Sequence, residues 1–221
     1  MTQLDIHSGA MEKRGQRVTT AAADLRLFAL VLAAGSATRF GASKQLQALG
    51  GTTLVGRAMR LAEAICGSSS ILITGSDWRR VAAAAAPLAG FLVRNEHYRQ
   101  GMASSIGSGV RPVTGIADAV LLLLADQPLI GAAHLEAMRA QWLAAPDHIV
   151  ASAYAGTCGA PAIFPRQYFA ALLALEGDRG ASSLLRQHAA RVKTLACDDA
   201  AIDIDTPADL ALLARRTDGA A

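Results

Sequence analysis

Residues 27–33, LFALVLA, form an unbroken apolar run. The run is far too short to cross a membrane. It is also too continuous for a strand with one wet face, which would alternate apolar and polar residues. Such a segment is stable where both faces are covered, as in a parallel sheet flanked by helices. AVLLLLAD at 119–126 repeats the pattern, with an unbroken apolar run from Ala119 to Ala125. Two buried strands 90 residues apart need crossover connections, and the intervening sequence supplies them.

Residues 53–65 place Leu54, Val55, Ala58, Leu61, Ala62 and Ile65 at helical spacing. SSILITG at 69–75 reads as a strand closed by Gly75. WRRVAAAAAPLAG at 78–90 reads as a helix stopped near Pro87 and Gly90, and FLVRN at 91–95 as a strand. GMASSIGSGVRPV at 101–113 reads as a glycine-serine loop entering a helix, and HLEAMRAQWLAA at 134–145 as a helix before Pro146. Beyond lie a strand at 149–156 and another at 158–165, where Pro161 predicts an edge or a bend. A helix at 166–175, a turn and helix at 177–190 and an alternating strand at 191–197 follow. The last helix, 206–216, has Thr206 as N-cap and Pro207 at its first position. Alternating strands and helices predict an α/β fold with a mainly parallel sheet and right-handed connections. No linker divides 26–216, so this is read as one domain, with 1–25 a mobile extension and 217–221 a tail. Met11 is an alternative start.

Composition narrows the function classes. Apolar residues make up 52% and charged residues 18%, which suits a globular chain. Aromatics are 5% and net charge is +3, too little stacking surface and too little charge for a nucleic-acid partner. No segment has the length and flanks of a signal peptide or membrane span. Cys66, Cys158 and Cys197 lack disulfide or zinc spacing. They read as small apolar residues in a reducing cytoplasmic protein. His97, His134, His148 and His188 have no metal spacing and read as surface residues.

In open α/β sheets, ligands bind at the carboxyl ends of strands. The loop after the first strand, Ala34 to Ser43, contains Gly35, Arg39 and Gly41 and runs into Lys44. Glycines let backbone N–H groups turn inward, and two cations add charge, so the loop suits phosphates. A solvated surface turn is the alternative. The spacing is neither a Walker loop nor GxGxxG. Asp126 ends the leucine strand, either capping a helix over 128–144 or holding a metal.

LAAG-x3-R-x-G-x2-K is followed in order by GMASSIGSGV (101–110), LLADQPLI (123–130), GAPAIF (159–164), GDRGASSLL (177–185) and DIDTPADL (203–210). Over residues 27–215 this succession resembles the molybdenum cofactor cytidylyltransferases, within the molybdopterin nucleotidyltransferases. The resemblance implies a Rossmann-like, GT-A-like nucleotidyltransferase fold of three layers. It implies transfer of CMP from CTP to the terminal phosphate of molybdopterin, with release of pyrophosphate. The nucleotide would lie on Leu32, Ala33, Ala34 and Gly35, with Arg39 and Lys44 on its phosphates and Ser104 and Ser105 lining the site. Mg²⁺ would sit on Asp126 with a second carboxylate, Asp205 by its match to the family and Asp203 as the weaker candidate. Asp178 and Arg179 would shape the acceptor side. The serines read equally as a helix start, the Asp178–Arg179 pair as a turn, and Asp205 as a cap. The family pattern carries a larger residue at Ala160 and a basic one at Ser182, and this chain departs from both. Guanylyl-transferring relatives tend to read LAGG, so the methyl of Ala34 is expected to crowd a purine. A guanylyltransferase, a nucleotidyltransferase for another phosphorylated acceptor, and a cofactor carrier are the alternatives. Transient contact with a molybdoenzyme or its insertion chaperone is also implied.

Overall fold

The computed structural model describes residues 25–35, 43–87 and 89–218, the last three by backbone alone. The extension 1–25, apart from Leu25, and the loop residues Arg39 and Gly41 lie outside them. Seven strands form the sheet: β1 Leu27–Ala33, β2 Ser70–Thr74, β3 Phe91–Arg94, β4 Ala119–Leu124, β5 Ile149–Tyr154, β6 Thr157–Pro165 and β7 Val192–Ala196. The helices are α1 Leu54–Cys66, α2 Trp78–Ala85, α3 Met102–Val110, α4 Ala132–Ala144, α5 Phe169–Leu173, α6 Ser182–Gln187 and α7 Pro207–Asp218. The sheet order is β3-β2-β1-β4-β6-β5-β7. β6 runs antiparallel to both its neighbours, and the other pairings are parallel. The fold is the α/β, mainly parallel arrangement that the buried runs predict.

The continuous apolar character of β1 follows from its having two buried faces. Leu27, Ala29, Val31 and Ala33 point to one layer, with Val55, Met59 and Ala62 of α1 and Leu135, Met138 and Trp142 of α4. Phe28 and Leu30 point to the other, with Ile106 and Val110 of α3 and Phe169 and Leu172 of α5. Strand side chains alternate between faces, so one seven-residue segment feeds two cores. Burying each larger aliphatic side chain contributes roughly 1.5–3 kcal/mol. Among these, Leu30 and Val31 are completely buried.

Several details differ from the sequence expectation. Pro161 lies at the bend that the sequence offered rather than at a sheet edge, because β6 is internal. The β4–β6 register ends at Ala162, and the β5–β6 register shifts between Ala151 and Ser152. The bulge puts Pro161 where no ladder donor is needed. α4 begins at Ala132, so Asp126 caps no helix. Residues 166–168 form a 3-10 turn before the short α5. α7 extends to Asp218, into the expected tail. His134 is half-buried, with Nε2 2.8 Å from Ser152 Oγ. The three cysteines are half-buried and unpaired, and burial pushes the Cys66 thiol up to about 11, which suits packing rather than nucleophilic chemistry.

Candidate active site

Three chain segments meet beyond the carboxyl ends of β1 and β4. The first is the 3-10 turn Lys44–Leu46. The buried Gln45 side chain fixes it, donating from Nε2 to the Gly35 carbonyl at 3.0 Å. The turn leads into a small antiparallel ribbon, Ala48–Leu49 with Thr52–Thr53. The second segment is the end of β4, where Asp126 follows Ala125, whose N–H donates to Leu32 at 3.3 Å.

The third is 203–205, far along the chain. Its anchor is Ile204, fully buried in a small core with Leu49, Leu54 and Leu213. The Ile204 N–H donates to the Asp126 carbonyl at 3.0 Å, and Gln127 Nε2 donates to Ala200 at 2.9 Å. Thr206 and Asp209 stabilise the start of α7 by a reciprocal cap. Thr206 N–H donates to the Asp209 carboxylate at 2.8 Å, and Asp209 N–H donates to Thr206 Oγ1 at 3.3 Å. Thr206 therefore caps as the sequence suggests, and the Asp205 carboxylate is left for the cluster.

Lys44 Nζ lies 2.6 Å from Asp126 Oδ2 and 3.0 Å from Asp205 Oδ1. The Lys44 and Asp126 side chains are 16% and 22% exposed, and Asp205 is 58% exposed, so one pair is sheltered and the other faces solvent. Burial alone would lower the Lys44 pKa, but the charges and hydrogen bonds of Asp126 and Asp205 outweigh it, and the ammonium is held above its usual range. Asp203 is exposed overall, yet the protein around its carboxyl, and then the negative charge of Asp126, push it up to about 6. Burial, and after it the charge of Asp203, also raises the phenol of Tyr154. No sequence pattern marked Tyr154 or Gln45, since neither stands in a recognisable spacing.

The other candidates are placed as follows. Ala33 and Ala34 are buried, Leu32 is half-buried and Gly35 is exposed. Ala34 belongs to the core cluster that holds Ile73 and Ile106, so its methyl is turned to the interior. Ser104 and Ser105 open α3. The buried Asn95 donates from Nδ2 to both hydroxyls, at 2.8 and 3.0 Å. Ser104 Oγ also lies 2.9 Å from the His97 carbonyl. These bonds fasten the 95–101 loop to the helix, as the helix-start reading has it. Asp178 and Arg179 are exposed, in the turn that packs on Gly101, where Ala103 N–H donates to Gly177 at 3.1 Å. The serines and this turn thus share the start of α3, apart from the Lys44 contacts.

Lys44 is paired with two carboxylates, Asp126 and Asp205, whose charge also reaches Asp203, so negative charge is in excess, an environment that accepts cations. Among the described residues, no three His, Cys, Asp or Glu side chains converge as a metal-ligand cluster. The donor set that fits a hard divalent cation is Asp126 with Asp205. Mg²⁺ takes one or two carboxylates and fills its other positions with phosphate oxygens and water.

Among the described residues, no helix is long and apolar enough to cross a membrane. The sequence profile of the MobA-like NTP transferase domain matches residues 29–194. Purine catabolism protein PucB of Bacillus subtilis (strain 168) is 35% identical over 120 residues, covering 52% of this chain and 57% of its own length. The chain therefore matches little more than half of that relative. The crystal structure of Rv0371c from Mycobacterium tuberculosis H37Rv superposes with a TM-score of 0.75 at 30% identity, over 89% of this chain and all of that one. The Rv0371c complex with manganese superposes at 0.72 with 29% identity, over 86% of this chain and 98% of that one. With three quarters of its length matched by that profile, the chain belongs to the MobA-like NTP transferase family of nucleotidyltransferases.

Proposed function

We propose that the protein transfers CMP from CTP to the terminal phosphate of molybdopterin, giving the cytosine dinucleotide form of the cofactor and pyrophosphate. The observation that carries the nucleotidyl chemistry is Lys44 held between Asp126 and Asp205 at the strand ends. The cytidylyl and molybdopterin parts rest on the ordered motifs from LAAG to DIDTPADL.

In the transfer, an acceptor phosphate oxygen attacks the α-phosphorus of CTP. The bond from that phosphorus to the bridging oxygen breaks, and the electron pair leaves with pyrophosphate. Charge grows on the transferring group and the leaving group. Lys44, fixed by two carboxylates, presents a positive charge without having to reorganise at the moment of reaction. Arg39, five positions before Lys44 in the sequence, would add a second charge for the phosphates. Leu32 and Ala33 at the end of β1, with Ala34 and Gly35 just beyond it, are where the nucleotide would rest. Ser104 and Ser105 shape the start of α3, and Asp178 and Arg179 flank it on the acceptor side. Asp126 and Asp205 would hold Mg²⁺, which supplies charge neutralisation of the triphosphate. Rv0371c forms a complex with manganese, which supports a divalent-metal requirement.

The test is pyrophosphate release from purified protein with Mg²⁺, molybdenum cofactor and CTP, GTP, ATP or UTP in turn. Release with CTP alone, lost in Asp126→Ala, is the expected result. Release with GTP assigns a guanylyltransferase. Silence with all four assigns another acceptor or a carrier, and overturns the proposal.

A further inference from the structure

α1 presents a second cationic feature on the side away from the core. Its buried face carries Val55, Met59, Ala62 and Ile65. Arg57, Leu61 and Ala64 follow one another at helical spacing on the opposite side, with Arg60 beside them. Together with Gly50 and Thr52 of the ribbon they line a groove of about 400 Å³.

The charge in this groove is unmatched. Arg57 Nε is buried and, among the described residues, has no acceptor. The same guanidinium makes one long hydrogen bond, from Nη2 to the Leu49 carbonyl at 3.4 Å. Among the described residues, neither Arg57 nor Arg60 forms an ion pair, whereas Arg80, Arg94, Arg166 and Arg191 each face a carboxylate. A buried donor facing no acceptor is costly, and such groups are commonly satisfied by an ion or water. The Gly50–Gly51 turn brings backbone close to the guanidinium, since a Cβ on Gly50 would stand 3.4 Å from Arg57 Nη2. Both glycines have positive φ, +59° and +77°, as a tight two-residue hairpin requires.

We propose that this groove is an anion site, separate from the Lys44 cluster, for a phosphate-type oxyanion. Arg57 and Arg60 bind the oxyanion through their guanidinium donors, the geometry that arginine offers to phosphate. Leu61 and Ala64 leave an apolar wall for a small organic body attached to it. Two sources of this chemistry are separable: inorganic phosphate and a phosphate monoester.

The experiment is a ¹H–¹⁵N NMR titration of the full chain, with inorganic phosphate in one arm and phenyl phosphate in the other, at constant ionic strength. Saturable shifts of the Gly50, Gly51 and Thr52 amides and of the Arg57 Nε–H are expected. They should persist in Lys44→Ala, which removes a cation from the other site. They should weaken by about tenfold in Arg60→Gln, whose side chain lies on the exposed surface and whose loss spares the core. Tighter binding of phenyl phosphate would assign a monoester, and equal binding the free ion. Two outcomes overturn the proposal. One is shifts that do not saturate. The other is shifts unchanged by Arg60→Gln and abolished by Lys44→Ala, which would trace them to the nucleotide site.

Discussion

Lys44 Nζ stands 2.6 Å from the Asp126 carboxylate, and its closest charged partner thus comes from the end of the neighbouring strand β4. In the proposed reaction the pair would couple the cation meant for the phosphates to the carboxylate meant for the divalent ion. Removing either changes the charge felt by the other.

Lys44→Ala is expected to raise the barrier for nucleotidyl transfer by about 2.7–4 kcal/mol, the scale for loss of a preorganised stabilising group. The loss should fall mainly on kcat, because charge builds up in the transition state. Single-turnover measurements of pyrophosphate release check this. Near-normal turnover would remove Lys44 from the chemistry.

Asp126→Asn keeps the shape of the side chain and removes its charge. The Mg²⁺ concentration for half-maximal activity should rise by at least about tenfold, the low end of what even indirect partners of a bound metal contribute. Titrating Mg²⁺ at saturating CTP gives the answer. An unshifted midpoint would assign the ion to other ligands.

His134 provides a pH handle on stability away from the site. Ser152 Oγ donates to the Pro161 carbonyl at 3.0 Å and so receives the proton of His134 Nε2. Burial, partly offset by Asp199, holds the imidazole below its usual 6.5. Its contribution to stability is therefore complete above 6.5 and is lost as pH falls through the depressed folded value. Thermal unfolding should show a shallower acid-side loss for His134→Gln than for the parent. Parallel curves would refute the linkage.

Gly101 has φ +98°, and a Cβ there would strike the Gly177 backbone and the Asp178 carboxylate. Gly101→Ala should cost about 1–3 kcal/mol in strain alone and displace the 177–180 turn. Gly115→Ala, with open space around its Cβ, should stay within about 0.5 kcal/mol of the parent. Urea unfolding of the two variants tests the difference.

The layers of the fold were legible because apolar periodicity is a local signal. LFALVLA reads as a doubly buried strand without knowledge of its neighbours. Sheet order and the reversed β6 were not legible, since pairing of β6 with β4 depends on contacts distant in sequence. Lys44, Asp126 and Asp205 could be listed from their motifs, but their contacts could not. These depend on Ile204 docking against Leu49 and Leu54 and on its N–H reaching Asp126. Ala34 shows the opposite case: its size was readable, but the direction of its methyl was not. Arg39, singled out by the sequence, lies outside the described residues.

The bond from Lys44 to Asp205 spans 161 positions of the chain. During synthesis, the lysine emerges from the ribosome long before the carboxylate that completes its setting. A nascent chain can lay down β1, α1 and β4 and still lack that partner. Under the proposed function, catalytic competence would arrive with the docking of Ile204 and α7, and turnover would double as a readout of finished folding.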